Sequence, residues 1–122
     1  MERILVVDDE IHIGRILKKY LSAQSYDVYT AADGLEAIDR VKEVKPHVVL
    51  LDIIMPGMGG IETLKEIKKI NPKIVVIMIT AVIDEELAKR ALQLGADFYI
   101  TKPFELDYLE TCVRAKIIEL LN

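Results

Sequence analysis

The chain has 122 residues, 52% hydrophobic, 30% charged and 6% aromatic, which suits one domain, residues 1–122, around a single core. That apolar fraction excludes disorder, and a lone cysteine, Cys112, excludes a disulfide scaffold. The net charge of -4, from 20 acids against 16 bases, provides no field to gather nucleic acid or an anionic membrane, so direct contact with either is not expected.

The N-terminus, Met1-Glu2-Arg3, runs straight into an apolar strand without the pattern of a signal peptide. The longest uninterrupted run of Ile, Val, Met, Ala and Thr, Ile74 to Ile83, is about half a membrane span. A soluble, cytoplasmic protein is the expectation. Cys112 sits in a helical stretch beside Glu110, Thr111 and Val113, where a packed or idle thiol is expected.

Short β-branched runs alternate with stretches of helical period. A first strand, Ile4 to Val7, precedes the stripe Ile13, Ile16, Leu17, Tyr20, Leu21, whose three- and four-residue spacings mark an amphipathic helix. A second strand, Asp27 to Thr30, leads to a helix opened by Asp33-Gly34 and carried by Leu35, Ile38 and Val41. The third strand, Val48 to Leu51, is followed by Ile61, Leu64 and Ile67, with Asn71-Pro72 closing that helix. A fourth strand, Ile74 to Ile79, precedes a helix from about Asp84 to Leu94, stopped by Gly95. The last strand, Phe98 to Thr101, precedes a helix from about Glu105 to Leu121.

Five βα units with strands apolar on both faces, such as Val48-Val49-Leu50-Leu51, predict a parallel sheet covered on each side by helices. Right-handed crossovers then give a doubly wound, three-layer α/β domain. Ligands of such sheets bind outside the carboxyl ends of the strands.

The residues at those ends are therefore the candidates. Asp8, Asp9 and Glu10 follow the first strand, Asp52 the third and Thr80 the fourth, and Lys102-Pro103 ends the fifth. The second strand ends in the bland Thr30-Ala31-Ala32, as an edge strand would. Carboxylates converging at one edge repel each other and stay ionised only around a cation. Oxygen ligands without His or Cys select Mg2+ or Mn2+. Lys102 adds a fixed positive charge, and the set suits a phosphoryl group. Cys112 lies on the wrong element, neither His12 nor His47 is at a strand carboxyl end, and no Ser is either; Asp52 remains as nucleophile.

Asp8-Asp9, Asp52, Thr80 and Lys102-Pro103, at these separations, resemble the receiver domain of two-component response regulators over the whole chain. Asp33-Gly34, Met55-Pro56, Gly60, Thr80-Ala81 and Gly95-Ala96-Asp97 support the resemblance. It implies a flavodoxin-like (βα)5 fold with strand order 2-1-3-4-5. It implies that Asp52 accepts a phosphoryl group from the phosphohistidine of a sensor histidine kinase or phosphotransfer protein. Asp9 would bind Mg2+ directly, Asp8 largely through water, and the carbonyl of Ile54 would complete the set with Asp52. Lys102 would bind the phosphoryl oxygens, Thr80 would move to hydrogen-bond one of them, and Tyr99 would pack inward in response. A cis peptide between Lys102 and Pro103 is implied as well.

By the same resemblance the fourth helix, fifth strand and fifth helix form the face that controls an output domain or effector, with a homodimer as one phosphorylated form. The domain is expected to be a signalling phosphoacceptor that assists its own phosphorylation and dephosphorylation, not an enzyme. With no effector segment apparent, another domain or another protein is expected to carry the output.

Rival classes fit less well. An Asp-nucleophile phosphoester hydrolase resembles others of its kind in a second Asp two residues on, where this chain has Ile54. A flavin or nucleotide module needs donors after the first strand, where Asp8-Asp9-Glu10 presents acids. A degenerate receiver acting only as an interaction module would have lost one of the key residues.

Bland roles are expected nearby: an N-capping contribution from Asp8 or Asp9, a solvated face for Lys65, Lys68 and Lys69, and exposure of His12. Two departures stand out. Gly59 replaces the usual Asp before Gly60, giving a glycine-rich loop expected to be mobile. Ile54 and Val82, apolar residues two after Asp52 and Thr80, should border the path of attacking water and make self-dephosphorylation slow.

Overall fold

The computed structural model describes residues 1–81 and 84–121. Five strands and five helices alternate: β1 (Arg3–Val7), α1 (Ile11–Ala23), β2 (Asp27–Ala31), α2 (Gly34–Val44), β3 (Val48–Asp52), α3 (Gly60–Ile70), β4 (Val75–Thr80), α4 (Glu85–Gln93), β5 (Phe98–Thr101) and α5 (Leu106–Leu121). The strands form one parallel sheet in the order β2-β1-β3-β4-β5. Expected boundaries hold to within a residue or so, and Thr30-Ala31-Ala32 indeed ends an edge strand.

Alternation of side chains along the strands divides the core in two. Leu5, Val7, Val49, Leu51, Val76 and Met78 face α2, α3 and α4. Their neighbours Ile4, Val6, Val48, Leu50, Val75 and Ile77 face α1 and α5. Every residue of β3 and β4 is buried, which is why these runs carry no polar alternation.

Local chemistry sets the helix ends. Asp33 caps α2 by accepting the Glu36 N–H at 2.9 Å, and Asp84 caps α4 by accepting from Glu86 and Leu87. The capping expected of Asp8 or Asp9 does not occur: the N-cap of α1 is Glu10, without a side-chain cap bond. Asp8 instead accepts the Glu10 N–H at 2.9 Å, a turn that holds its carboxylate back over the sheet edge. Lys68 also departs from expectation. Its ammonium leaves solvent to bind Asp97 at 3.0 Å and the Ile74 carbonyl at 2.6 Å, and Asp97 in turn accepts the Val76 N–H. Lys65 and Lys69 are exposed as expected.

One buried charge on α5 is unexpected. Glu110 is 5% exposed and accepts the Tyr26 hydroxyl at 2.9 Å, while Arg114 donates to both of its carboxylate oxygens. Burial first, then the bond to Glu110, pushes the Tyr26 phenol up to about 12.

Candidate phosphoacceptor site

The carboxyl ends of β1, β3, β4 and β5 meet at one edge, and each delivers a side chain there. Asp8 follows β1, Asp52 ends β3, Thr80 ends β4 and Lys102 follows β5. Carboxylate oxygens of Asp8, Asp9 and Asp52 lie within 4.8 Å of one another. Asp8 and Asp52 are buried and Asp9 is exposed. The Lys102 ammonium bridges the buried pair, 3.0 Å from Asp8 and 3.3 Å from Asp52, with Glu10 at 3.9 Å.

Each position has a backbone cause. Asp8 N–H donates to the Ala31 carbonyl at 3.1 Å, extending the β1–β2 pairing to the edge of the site. Lys102 N–H donates to the Thr80 carbonyl at 2.8 Å, so the lysine and the threonine share one ladder. The Lys102–Pro103 peptide is cis, as the resemblance implied. Ile54 N–H donates to the second Asp52 oxygen at 3.2 Å, orienting the carboxylate.

Burial raises the Asp52 carboxyl above its ordinary value, and Asp8 adds to this against the pull of Lys102 and the Ile54 amide. For Lys102, burial works against the charge. The hydrogen bond to Asp8 and the fields of Asp52 and Asp8 outweigh it, so the ammonium titrates above the usual lysine range.

The remaining expected residues fall around this centre. Thr80 is buried at the strand end, and Tyr99 is half-buried against the core face shared with α4. Ile54 is 58% exposed, where the expectation put it at the approach to Asp52. Val82, its expected counterpart, lies outside the described residues. His12 is exposed, and His47 serves the opposite end of the sheet, its Nδ1 accepting the Arg3 N–H at 2.9 Å.

Sequence reasoning missed a groove of about 550 Å³ beside Lys102, lined by Ile13 and Ile16 of α1 and by Pro103, Phe104 and Leu106. The breadth of the α1 stripe was its signal: Ile16 belongs to the periodic set but is half exposed, whereas Leu17 and Leu21 fill the core.

An acidic cluster opposed by a lysine, at the carboxyl edge of a 2-1-3-4-5 sheet, defines a flavodoxin-like domain with an anionic site. The family model for the response regulator receiver domain matches residues 4–114, and the chain belongs to that family. A curated relative, a probable transcriptional regulator, ycf27, of Porphyridium aerugineum, is 44% identical over 114 residues, 93% of this chain and 47% of the relative. The chain therefore spans about half the length of that relative. Among solved structures, a CheY-like receiver domain protein of Methanospirillum hungatei is similar with a TM-score of 0.96 and 32% identity, over 98% of this chain and 96% of that one. NtrX of Brucella abortus matches with a TM-score of 0.92 and 34% identity, over 98% of this chain but only 28% of its own.

Proposed function

We propose that this domain accepts a phosphoryl group on Asp52 from the phosphohistidine of a kinase or phosphotransfer protein and thereby switches its α4–β5–α5 face. One observation carries the reading: three carboxylates within 4.8 Å of one another and a half-buried lysine bridging Asp8 and Asp52. In the transfer, an Asp52 oxygen forms a bond to phosphorus, the phosphorus–nitrogen bond breaks, and the imidazole nitrogen leaves with its electron pair and takes a proton.

The donor set fits a divalent hard cation, since it is all oxygen and its two buried acids already share one positive charge. Asp8, Asp9, Asp52 and the Ile54 carbonyl would hold Mg2+, with Mn2+ as substitute, and the bound ion would supply positive charge to the transferring phosphoryl oxygens. The protein does the rest. The Ile54 amide orients the Asp52 carboxylate, and Lys102 moves from bridging the acids to neutralising a phosphoryl oxygen. Thr80, sharing a ladder with Lys102, would follow toward the same group, and Tyr99, which packs against the neighbouring core face, would turn inward in response. The apolar groove next to Lys102 supports docking of a helix of the phosphodonor.

The domain on this reading is a signalling phosphoacceptor in the cytoplasm that assists its own phosphorylation rather than an enzyme with a separate substrate. Its partners are a histidine kinase and an output domain or effector, with a phosphorylated homodimer as one assembly. Phosphorylation with acetyl phosphate and Mg2+, followed by intact mass, tests it. The wild type should gain one phosphoryl group and Asp52→Asn none. Signalling that survives Asp52→Asn untouched would favour an interaction-only module instead.

A further inference from the structure

We propose that Gly34, the first residue of α2, is a positioning residue for the site: with Met58 and Thr63 it sets the position of the β3–α3 loop that carries Ile54. The inference rests on the reading of Asp52 and Ile54 just given, and concerns Gly34 of α2 and Thr63 of α3, which are not members of the acidic cluster.

The loop, residues 53–59, is gripped at both ends. Where it enters α3, Gly60 presses against the backbone of Asp52 and Ile53. A Cβ there would lie 2.9 Å from the Ile53 carbonyl oxygen and closer still to that of Asp52, and the Gly60 N–H donates to Ile53 at 2.8 Å. The other grip comes from α2. A Cβ on Gly34 would lie 2.9 Å from the Met58 carbonyl oxygen and 3.0 Å from the Met58 Cβ, and closer again to the Thr63 hydroxyl. Gly34 has no left-handed φ, so space rather than conformation requires glycine. Thr63, fully buried, donates its hydroxyl to the Gly59 carbonyl at 2.9 Å.

This grip matters because the usual one is missing. The N-cap of α3 is Gly59, which has no side chain to bond the first turn. The expected mobility of the glycine-rich segment is therefore opposed by the contact of Met58 with Gly34 and the bond from Thr63. Met58 lies four residues after Ile54, whose amide holds Asp52 and whose carbonyl would, on that reading, join the ligands of the cation. An alanine at 34 must displace the Thr63 hydroxyl and crowd the Met58 backbone, loosening both parts of the grip. Mg2+ demands near-ideal octahedral geometry, so a small displacement of its ligands weakens binding.

The test is a Mg2+ titration of the full, 15N-labelled chain, following the amide of Ile54 with and without the ion. Gly34→Ala should displace the Ile54 amide resonance even without Mg2+ and weaken Mg2+ binding about tenfold. Thr63→Val keeps the volume, loses only the bond to Gly59, and should move both readouts the same way, by about threefold in affinity. Val41→Ala, a buried truncation on the same helix, should lower stability without moving either readout. If Gly34→Ala fails to fold, Thr63→Val carries the test. Wild-type Mg2+ affinity and an unmoved Ile54 amide in Gly34→Ala and Thr63→Val would overturn the proposal, as would an equal loss in Val41→Ala. Should the wild type itself bind no Mg2+, the metal reading fails separately; an Ile54 amide unmoved in Gly34→Ala and Thr63→Val then still overturns the positioning role of Gly34, and a displaced one supports it.

Discussion

Replacing Lys102 by methionine asks what the lysine does before any phosphoryl group arrives. Its ammonium lies 3.0 Å from Asp8 and 3.3 Å from Asp52, whose side chains are only 5% and 9% exposed. At an effective dielectric of about 20, each contact is worth about 5 kcal/mol of Coulomb energy, most of it offset by the desolvation of three ions. Methionine removes the attraction and leaves two carboxylates buried together. Breaking a buried pair in this way costs about 3 kcal/mol, which lowers the urea midpoint by about 2 M for a domain with an m-value near 1.5 kcal/mol/M.

The deficit should depend on conditions in a defined direction. The folded Asp52 carboxyl already titrates above its ordinary value, and losing the pull of Lys102 raises it further. A raised carboxyl stabilises the fold most below its unfolded pKa and loses that contribution as pH rises through the folded value. The variant should therefore be closest to wild type in acid and furthest from it at pH above neutral. Mg2+ at 100 times the variant's dissociation constant should return about 2.7 kcal/mol to the variant, and the wild type should gain less because Lys102 already occupies the same carboxylates. Urea melts at several pH values with and without Mg2+ check both arms. A loss that is the same with and without Mg2+, and the same in acid as at neutral pH, would refute the counter-ion argument.

Three other outcomes are expected. His47 is shifted down, by burial first and then by Arg3, and its unprotonated Nδ1 accepts the Arg3 amide. Stability should thus be full above the unfolded pKa of about 6.5 and fall by about 1 kcal/mol as pH drops through the lower folded value; His47→Gln should flatten this in pH-dependent thermal melts. Ile54→Asn, at the exposed approach to Asp52, should speed loss of the phosphoryl group about tenfold by holding a water in line, and decay within seconds that is unchanged by the substitution would show that water is positioned elsewhere. Ile16→Glu, in the groove beside Lys102, should lower the rate of transfer from a kinase about tenfold while leaving phosphorylation by acetyl phosphate unchanged in a phosphoryl-transfer time course.

The fold was legible because its strands are short β-branched runs bounded by turn chemistry, and because the site falls on their ends. Asp8, Asp52, Thr80 and Lys102 could be placed at one edge by topology alone. Strand order came through the resemblance, since alternation of elements does not say which strands neighbour each other. What stayed hidden is non-local. Nothing near Lys68 in the chain announces Asp97, and nothing near Glu110 announces Tyr26. Gly34 reads as the ordinary follower of a capping Asp, although the space it leaves is filled by Met58 and Thr63, more than twenty residues on. A capping contribution is expected of Asp8 or Asp9 because an acid just before a helix usually makes one. Here the helix begins at Ile11 and the Asp8 carboxylate turns to Lys102 instead.

The packing of α4 has a bearing on how such a domain would keep time. This helix buries Ala91 alone, with Leu87 and the C-cap Leu94 only partly covered, whereas α3 buries Gly60, Thr63, Leu64 and Ile67. So light an attachment puts α4 at the low end of local opening free energies, and its amides should exchange with solvent long before those of β3. For a domain that signals through this helix, the off state is then an average over excursions rather than one fixed surface. Its background output would be set by a few methyl groups under α4, independently of how tightly the phosphoryl site is kept empty.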